Sequence, residues 1–456
     1  MVNRHAERQA QDCRGTVSAR RRVLPMIAAS AISAVIGGGS RTASASPQML
    51  KGPYLQDLAP TSITVMWELD EEQAARITVT GPGGTRTHKV SAARIAEARL
   101  DELQPASRYR YRVTIGDKTW DGEFATAPPV GKDVPFSFAV VGDSRSGIEQ
   151  HRRVIDRMSQ EVPDFVLGTG DMVDEGYRQE QWQQFFDIET QLLRNNVYFP
   201  ALGNHDRQGR GRTADSYRAY FSVPENGGDT ERYYAFTYAA SRFLVLDSNA
   251  YSFALTDQTA WIERELVATR QDPAIHHIFI VMHHPPFSVS LHGGATDLRE
   301  RWTPLFEAYG VTAVFSGHDH VYERAEHNGV RYFVSGGGGA PLYPRRSKPN
   351  PIDLAAVKKF ERALHFLRVT VTGDRVEVTA VRADGTTIET QAWTDGPAPV
   401  NRSRDTPKLV ASAAGAAKTN PVSIQVPPRR SSWPVIAGGI ALLGVALGTA
   451  VVVLRR

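Results

Sequence analysis

Five short apolar runs, each halted by glycine, aspartate, asparagine or histidine, constrain the fold of this chain more than any other feature. Residues 136–141 stop at Gly142-Asp143, 165–167 at Gly168-Thr169-Gly170-Asp171, and 197–202 at Gly203-Asn204-His205-Asp206. Further on, 278–282 stops at His283-His284, and 311–315 leads through Ser316 to Gly317-His318-Asp319-His320. Runs of this length without polar alternation read as strands covered on both faces. Helical periodicity intervenes at 179–194 and at 257–269, the latter with Trp261, Ile262, Glu265 and Leu266 on one face. Strands alternating with helices predict a layered α/β domain, and in such sheets ligands gather beyond the carboxyl ends of the strands. The sequence places its metal-capable side chains at those ends.

Asp143, Asp171, Asn204, His283, His318 and His320 supply carboxylate, amide and imidazole donors, the set that hard and borderline metal ions take. A two-metal centre needs one carboxylate able to bridge ions about 3.5–4 Å apart, separate ligands for each ion, and an open position for water. One such residue at a strand end is ordinarily structural, whereas six in this order predict a site. Nearby, 331–334 reads as a strand leading into the tight loop 336–339, which is either a cradle at the site or a conformational requirement. Residues 364–372 and 375–381 read as a closing hairpin around Gly373-Asp374.

Before this domain, 47–128 reads as all-β. Segments 62–67, 76–80 and 109–113 alternate in polarity between Gly-Pro turns, the pattern of a small sandwich without chemistry of its own. At the amino end, Arg20-Arg21-Arg22 precede an apolar run over 23–36 and then Ala43-Ser44-Ala45, the layout of an export signal over 1–45 of twin-arginine type. At the carboxyl end, 435–454 holds one polar side chain, Thr449, and no charge before Arg455-Arg456. At roughly 1.5 Å rise per residue it is long enough to span a bilayer. A single transmembrane helix is therefore expected over 433–454, with a Pro-, Ala-, Ser- and Thr-rich stalk over 394–432. This layout predicts an exported, membrane-anchored protein with its catalytic domain outside and its carboxyl terminus in the cytoplasm. The net charge of +4 arises at these two ends, leaving 46–428 net acidic, which speaks against nucleic-acid binding. A single cysteine, Cys13, excludes a disulfide framework within the chain.

In their order, Gly142-Asp143, Gly170-Asp171, Gly203-Asn204-His205-Asp206, Met282-His283 and Gly317-His318-Asp319-His320 resemble the motifs of the calcineurin-like metallophosphoesterases. Gly317 through Arg324, read as Gly-His-x-His-x-Tyr-Glu-Arg, is more similar still to the purple acid phosphatases, which carry a fibronectin-like β domain before the catalytic one. Trp67 and the pattern Leu103, Pro105, Tyr109, Tyr111 look like a fibronectin type III module. The resemblance covers about residues 47–395. It implies a fibronectin III-like sandwich over 47–128 followed by a four-layer αββα domain over 132–393. It also implies two metal ions, Fe with Zn, Mn or Fe. Asp171 would bridge them, Asp143 and His320 would bind the first, and Asn204, His283 and His318 the second. The activity implied is acid phosphatase-like hydrolysis of a small-molecule phosphate ester by metal-bound hydroxide, with His205 donating a proton to the leaving oxygen or stabilising the transition state.

Two positions depart from the family pattern. Metallophosphoesterases commonly carry Asp-x-His in the first motif, where this chain has Arg145. Purple acid phosphatases make up that ligand with a tyrosine three residues after the bridging aspartate, where this chain has Asp174. Asp174 or water is expected to complete the first ion's shell, without tyrosinate-to-iron colour; Tyr177 is the residue to suspect should the protein be purple. Arg145 is left either to fork onto substrate phosphate or to pair on the loop surface. His292, in a glycine-containing loop, falls near where the purple enzymes place substrate-contacting histidines, with a surface role as the other reading. His284 is expected to fix its loop, and Tyr322, Glu323 and Arg324 to anchor the 318–320 loop. Two other functions stay open: a phosphodiesterase or nucleotidase with the same site, and a non-catalytic surface binding protein built on a degenerate enzyme domain.

Overall fold

The structure, a computed structural model, describes residues 47–208, 213–227, 231–249 and 255–394. Its first five strands are β1 (Met49–Gln56), β2 (Ile63–Gly81), β3 (Gly84–Leu100), β4 (Arg108–Ile115) and β5 (Lys118–Ala125), all paired antiparallel. Strand β4 shows why the polarity alternates: Tyr109, Tyr111, Val113 and Ile115 are buried while the arginines between them are exposed. Strand β2 changes partner along its length. Residues 64–69 lie beside β1 and 76–80 beside β4, with register shifts around Glu68, Gln73 and Ala75 between the two parts. Leu55 of β1 also bridges Val197, which joins these strands to the sheet that follows. Alternation within each strand carries no signal for that junction.

The remaining elements are β6 (Phe136–Val141), α1 (Ile148–Met158), β7 (Phe165–Gly168), α2 (Gln179–Asn195), β8 (Val197–Pro200), α3 (Asp215–Tyr220), β9 (Tyr234–Tyr238), β10 (Ser241–Val245), α4 (Leu255–Gln271), β11 (His277–Val281), α5 (Thr296–Ala308) and β12 (Ala313–Ser316). They continue with β13 (Tyr322–His327), β14 (Val330–Ser335), α6 (Pro351–Ala356), β15 (Val357–Glu361), β16 (His365–Thr372), β17 (Arg375–Arg382) and β18 (Thr387–Thr394). One sheet runs β18-β17-β16-β6-β7-β8 and on into the amino-terminal strands; the other runs β15-β13-β14-β12-β11-β10-β9. The trio β6–β7–β8 is parallel, as is β10–β11–β12–β14. The five apolar runs are β6, β7, β8, β11 and β12, and the two periodic stretches are α2 and α4, each within two residues at either end.

Strand β11 shows how the layers form. Phe279 and Val281 point into a core shared with Phe138, Phe165 and Phe199 of the first sheet and Phe236, Phe243 and Phe315 of the second. Ile278 and Ile280, with Met282 just beyond the strand, point the other way, onto Trp261, Ile262 and Leu266 of α4 and Leu298, Trp302 and Phe306 of α5. Between the sheets, Phe199 stacks on Phe236 at 3.8 Å, and Phe138 meets Phe279 and Phe315 edge-on at 5.5 and 5.9 Å. Each such pair adds about 0.5–1.5 kcal/mol to the area term. On the far side, α1 and α2 bury Val154, Ile155, Met158, Phe185 and Leu192, and His151 meets Glu189 at 3.0 Å between the two helices. The order helix, sheet, sheet, helix is the four-layer arrangement expected, and the aromatic seam sets the carboxyl ends of the two parallel sets face to face.

The export signal expected over 1–45 and the membrane helix expected over 433–454 lie outside the described residues, as does the stalk apart from Thr394, which ends β18. Among the described residues, no helix is long and apolar enough to cross a membrane.

Candidate metal centre

Each expected ligand follows a strand: Asp143 after β6, Asp171 after β7, Asn204 after β8, His283 after β11, and His318 and His320 after β12. Asp143, Asp171 and His318 sit in the left-handed region, at φ of 58°, 56° and 68°. Non-glycine residues held there cost about 1–3 kcal/mol each, so surrounding bonds must impose the conformation. Asp143 Oδ2 accepts the His318 N–H at 2.9 Å, and Asp171 Oδ1 accepts the His205 N–H at 2.9 Å. The Asp206 carboxylate gathers four backbone donors: Asp171 and Gly203 on Oδ2 at 2.9 and 2.8 Å, Met172 and Val173 on Oδ1 at 2.8 and 3.3 Å. Glycine is required where these turns touch. A Cβ on Gly203 would lie 2.2 Å from Asp171 Oδ1, and one on Gly317 would lie 2.3 Å from Asp143 Oδ2. The 336–339 loop braces the first motif, with Gly338 N–H donating to Gly142 O and Ala340 N–H to Asp143 O. Conformation explains that glycine run.

Four donor atoms converge at the position expected for the second ion. His283 Nδ1 donates to Thr169 O at 2.8 Å, which turns the lone pair of Nε2 toward Asp171 Oδ1 at 3.3 Å, Asn204 Oδ1 at 3.0 Å and His318 Nδ1 at 3.2 Å. Asn204 Oδ1 and His318 Nδ1 are 3.1 Å apart. Bonds of about 2.1 Å place neighbouring ligands about 3.0 Å apart in octahedral and about 3.4 Å apart in tetrahedral geometry, so Asn204, His283 and His318 are spaced to share one ion, and Asp171 adjoins them through His283. Asp171 and His283 are buried, whereas Asn204 and His318 are only partly so, which leaves the centre approachable from one side. His284 adjoins it, with its N–H donated to Ser248 Oγ and its Nδ1 against the same oxygen, both at 2.9 Å, and its ligand atom lies within 4.8 Å of those of His283 and His318.

The electrostatics are those of a cation trap. Burial pushes the Asp143 carboxyl well above the usual range, and the Asp171 charge adds to this. Burial opposes the Asp171 charge too, yet His283 and Arg145 hold that carboxyl well below its ordinary value. Burial alone would lower His283, but Asp171 and Asp143 raise it to about 9. Burial and the neighbouring imidazoles drive His318 far down, and burial with Arg145 lowers His320 to about 4. His318 and His320 are thereby kept as neutral, lone-pair donors.

The position expected for the first ion differs. Asp143 Oδ1 is buried without a hydrogen-bond partner, 3.5 Å from His320 Nε2, and His320 Nδ1 bonds Pro341 O at 2.8 Å. Arg145 occupies the adjoining space, with Nε 3.3 Å from Asp171 Oδ2, Nη2 3.4 Å from His320 Nε2 and Nη1 2.7 Å from Asp174 Oδ1. Asp174, expected to complete an ion's shell, has its carboxylate paired with Arg145 and the Ser146 hydroxyl. The Arg145 side chain is 13% exposed and lies against Asp171, Asp174 and His320. Ligand atoms of Asp143, Asp171 and His283 lie within 4.8 Å of one another, and an ion at Asp143 and His320 would meet the guanidinium beside them.

His205 lies at the rim with Nδ1 on Asp174 O at 2.7 Å and Nε2 4.0 Å from Asp171 Oδ2. His292 is exposed, its ring 4.4 Å from that of His318, so it does reach the mouth of the site. Tyr177 is exposed and bonded to Glu175. Tyr322 and Arg324, expected to anchor the 318–320 loop, bond Glu389 of β18, and Glu323 accepts the Val289 N–H. Three contributors carried no assigned role in the sequence: Asp206, Thr169, and Tyr343, whose ring stacks on His320 at 3.9 Å. Asp206 stood inside a recognised motif and was open to notice; Tyr343 had no signal.

The calcineurin-like phosphoesterase family matches residues 136–322. An uncharacterized protein of Mycobacterium tuberculosis is 28% identical over 269 residues, which cover 51% of this chain and 51% of that protein, so the match spans about half the relative's length. The purple acid phosphatase of Glycine max is 25% identical over 330 residues, 63% of this chain and 68% of the relative. Among solved structures, a purple acid phosphatase from yellow lupin (Lupinus luteus) seeds superposes with a TM-score of 0.63 over 75% of this chain and 74% of its own, a likeness of fold at 18% identity. Residues 136–322 thus match the calcineurin-like phosphoesterase family, in a chain whose relatives in sequence and neighbours in structure include purple acid phosphatases.

Proposed function

We propose that the protein hydrolyses small-molecule phosphate monoesters with a bound metal ion of the Fe, Zn or Mn kind, outside the cytoplasmic membrane. The observation that carries the reading is the convergence of the Asn204, His283 and His318 donor atoms at 3.0–3.2 Å from one another, with Asp171 Oδ1 3.3 Å from His283 Nε2 and a histidine at the rim. A metal ion supplies a water acidic enough to serve as nucleophile near neutral pH and offsets charge on the phosphoryl oxygens. Asn204 and the imidazoles orient it through neutral donors, and Asp171 supplies the negative charge. His205, anchored through Nδ1 to the Asp174 carbonyl, presents Nε2 to the leaving oxygen and hands it a proton. The fixed charge of Arg145 stands beside the same pocket, where it attracts a phosphate dianion. Placement outside the membrane rests on the two sequence ends, and the fibronectin-like identity of 47–128 on its strand pattern and buried Trp67.

The test is hydrolysis of para-nitrophenyl phosphate and its bis-ester by the metal-loaded full chain, beside Asn204→Ala and His205→Ala. Faster turnover of the monoester, lost in both variants, is expected. Preference for the diester would favour a phosphodiesterase, and equal low rates for all three proteins would remove the enzyme reading in favour of a binding protein.

A further inference from the structure

The two departures from the family pattern meet in space. Arg145 stands where a histidine ligand is common and Asp174 where a tyrosine ligand is common, and the two side chains form an ion pair at 2.7 Å. At the two positions this chain carries a cation and its counterion. A guanidinium keeps its charge at every pH the protein meets. Here it is held on three sides, by the nearly inaccessible Asp171 carboxylate, by Asp174 and by the Nε2 of His320. The Ser146 hydroxyl, bonded to the same Asp174 oxygen, keeps the counterion in place. His320 cannot turn away, because Nδ1 is committed to Pro341 O and Tyr343 stacks on its ring. An ion placed between Asp143, His320 and Asp171 would face this fixed positive charge at contact range and would have to break its pairing with two carboxylates.

We propose that the Arg145–Asp174 pair takes the place of the first ion, so that the centre binds a single metal ion, through Asp171, Asn204, His283 and His318. This inference rests on the metal-dependent reading of the site. It makes Arg145 a positioning residue that supplies the charge of the missing ion to Asp171 but brings no water. Asp143 then serves to hold the His318 turn through Oδ2.

The experiment is metal content per chain, measured by mass spectrometry on the full chain after loading with excess Zn2+ or Mn2+ and removal of loosely held ions. About one ion per wild-type chain is expected, and about two for Arg145→His combined with Asp174→Tyr, which restores both family ligands. Should that double variant misfold, Asp143→Asn serves in its place. It retains about one ion under this proposal, whereas Asn204→Ala retains almost none. Two tightly held ions in the wild type, falling to one in Asp143→Asn, would overturn the proposal. Hydrolysis of para-nitrophenyl phosphate by the same samples separates the two readings: two ions with turnover removes this inference alone, and one ion without turnover removes the phosphatase alone.

Discussion

Replacing Asp206 tests whether the site is imposed by its backbone frame. The carboxylate accepts N–H groups from Asp171, Met172, Val173 and Gly203, all in buried turns. Asp206→Ala leaves four buried donors to whatever water enters. An unsatisfied buried group costs about 1–3 kcal/mol, and the low end is appropriate where water can follow, which gives about 4 kcal/mol in all. At about 2.1 cal/mol/K of unfolding entropy per residue, a body of roughly 350 residues shifts Tm by about 1.4 °C per kcal/mol, so a fall of about 5–6 °C is expected by calorimetry. Asp206→Asn keeps one acceptor oxygen and turns an amide N–H against the other two donors, so about half that loss is expected. Metal retention should fall in the same order, since Asp206 ties the Asp171 turn to the Asn204 turn. A Tm for Asp206→Ala within about 3 °C of wild type would refute the reasoning.

Other consequences follow from single contacts. His205→Ala should lower kcat/KM for an alkyl phosphate by about 10²–10⁴-fold and that for para-nitrophenyl phosphate far less, because a good leaving group needs no proton; equal losses would remove the general-acid role. Gly317→Ala should abolish metal binding, measured by calorimetric titration, because its Cβ would fall 2.3 Å from Asp143 Oδ2 and 2.8 Å from Thr169 Oγ1. Metal affinity should rise with pH up to about 9, by as much as tenfold per unit, since the ion displaces the proton that Asp171 and Asp143 favour on His283. A flat Zn2+ affinity between pH 6 and 8 would show that His283 binds no metal.

Much of the catalytic layer was legible because doubly covered parallel strands read as unbroken apolar runs, and β6, β7, β8, β11 and β12 all do. Strands such as β13 and β18 were not, because Tyr322–His327 and Thr387–Thr394 carry more polar than apolar residues, although each pairs antiparallel with an adjacent strand, β14 and β17 respectively. Helix α1 escaped notice because its mean composition is polar, although Val154, Ile155 and Met158 fall on one face. At the site, the candidate ligands were readable from residue type at strand ends. The role of Arg145 was not: sequence distinguishes neither an arginine aimed at substrate from one pinned in a pocket, nor shows that its partner lies 29 residues away. Tyr343 reaches His320 through a loop fold that no local pattern encodes.

The most direct measurement is an anomalous-difference map from a crystal of the metal-loaded chain, recorded at the absorption edge of the bound metal. A peak about 2.0–2.3 Å from Asp171 Oδ1, Asn204 Oδ1, His283 Nε2 and His318 Nδ1 is expected. A strong peak elsewhere, or these four side chains turned apart with no density among them, would contradict the assignment of the site.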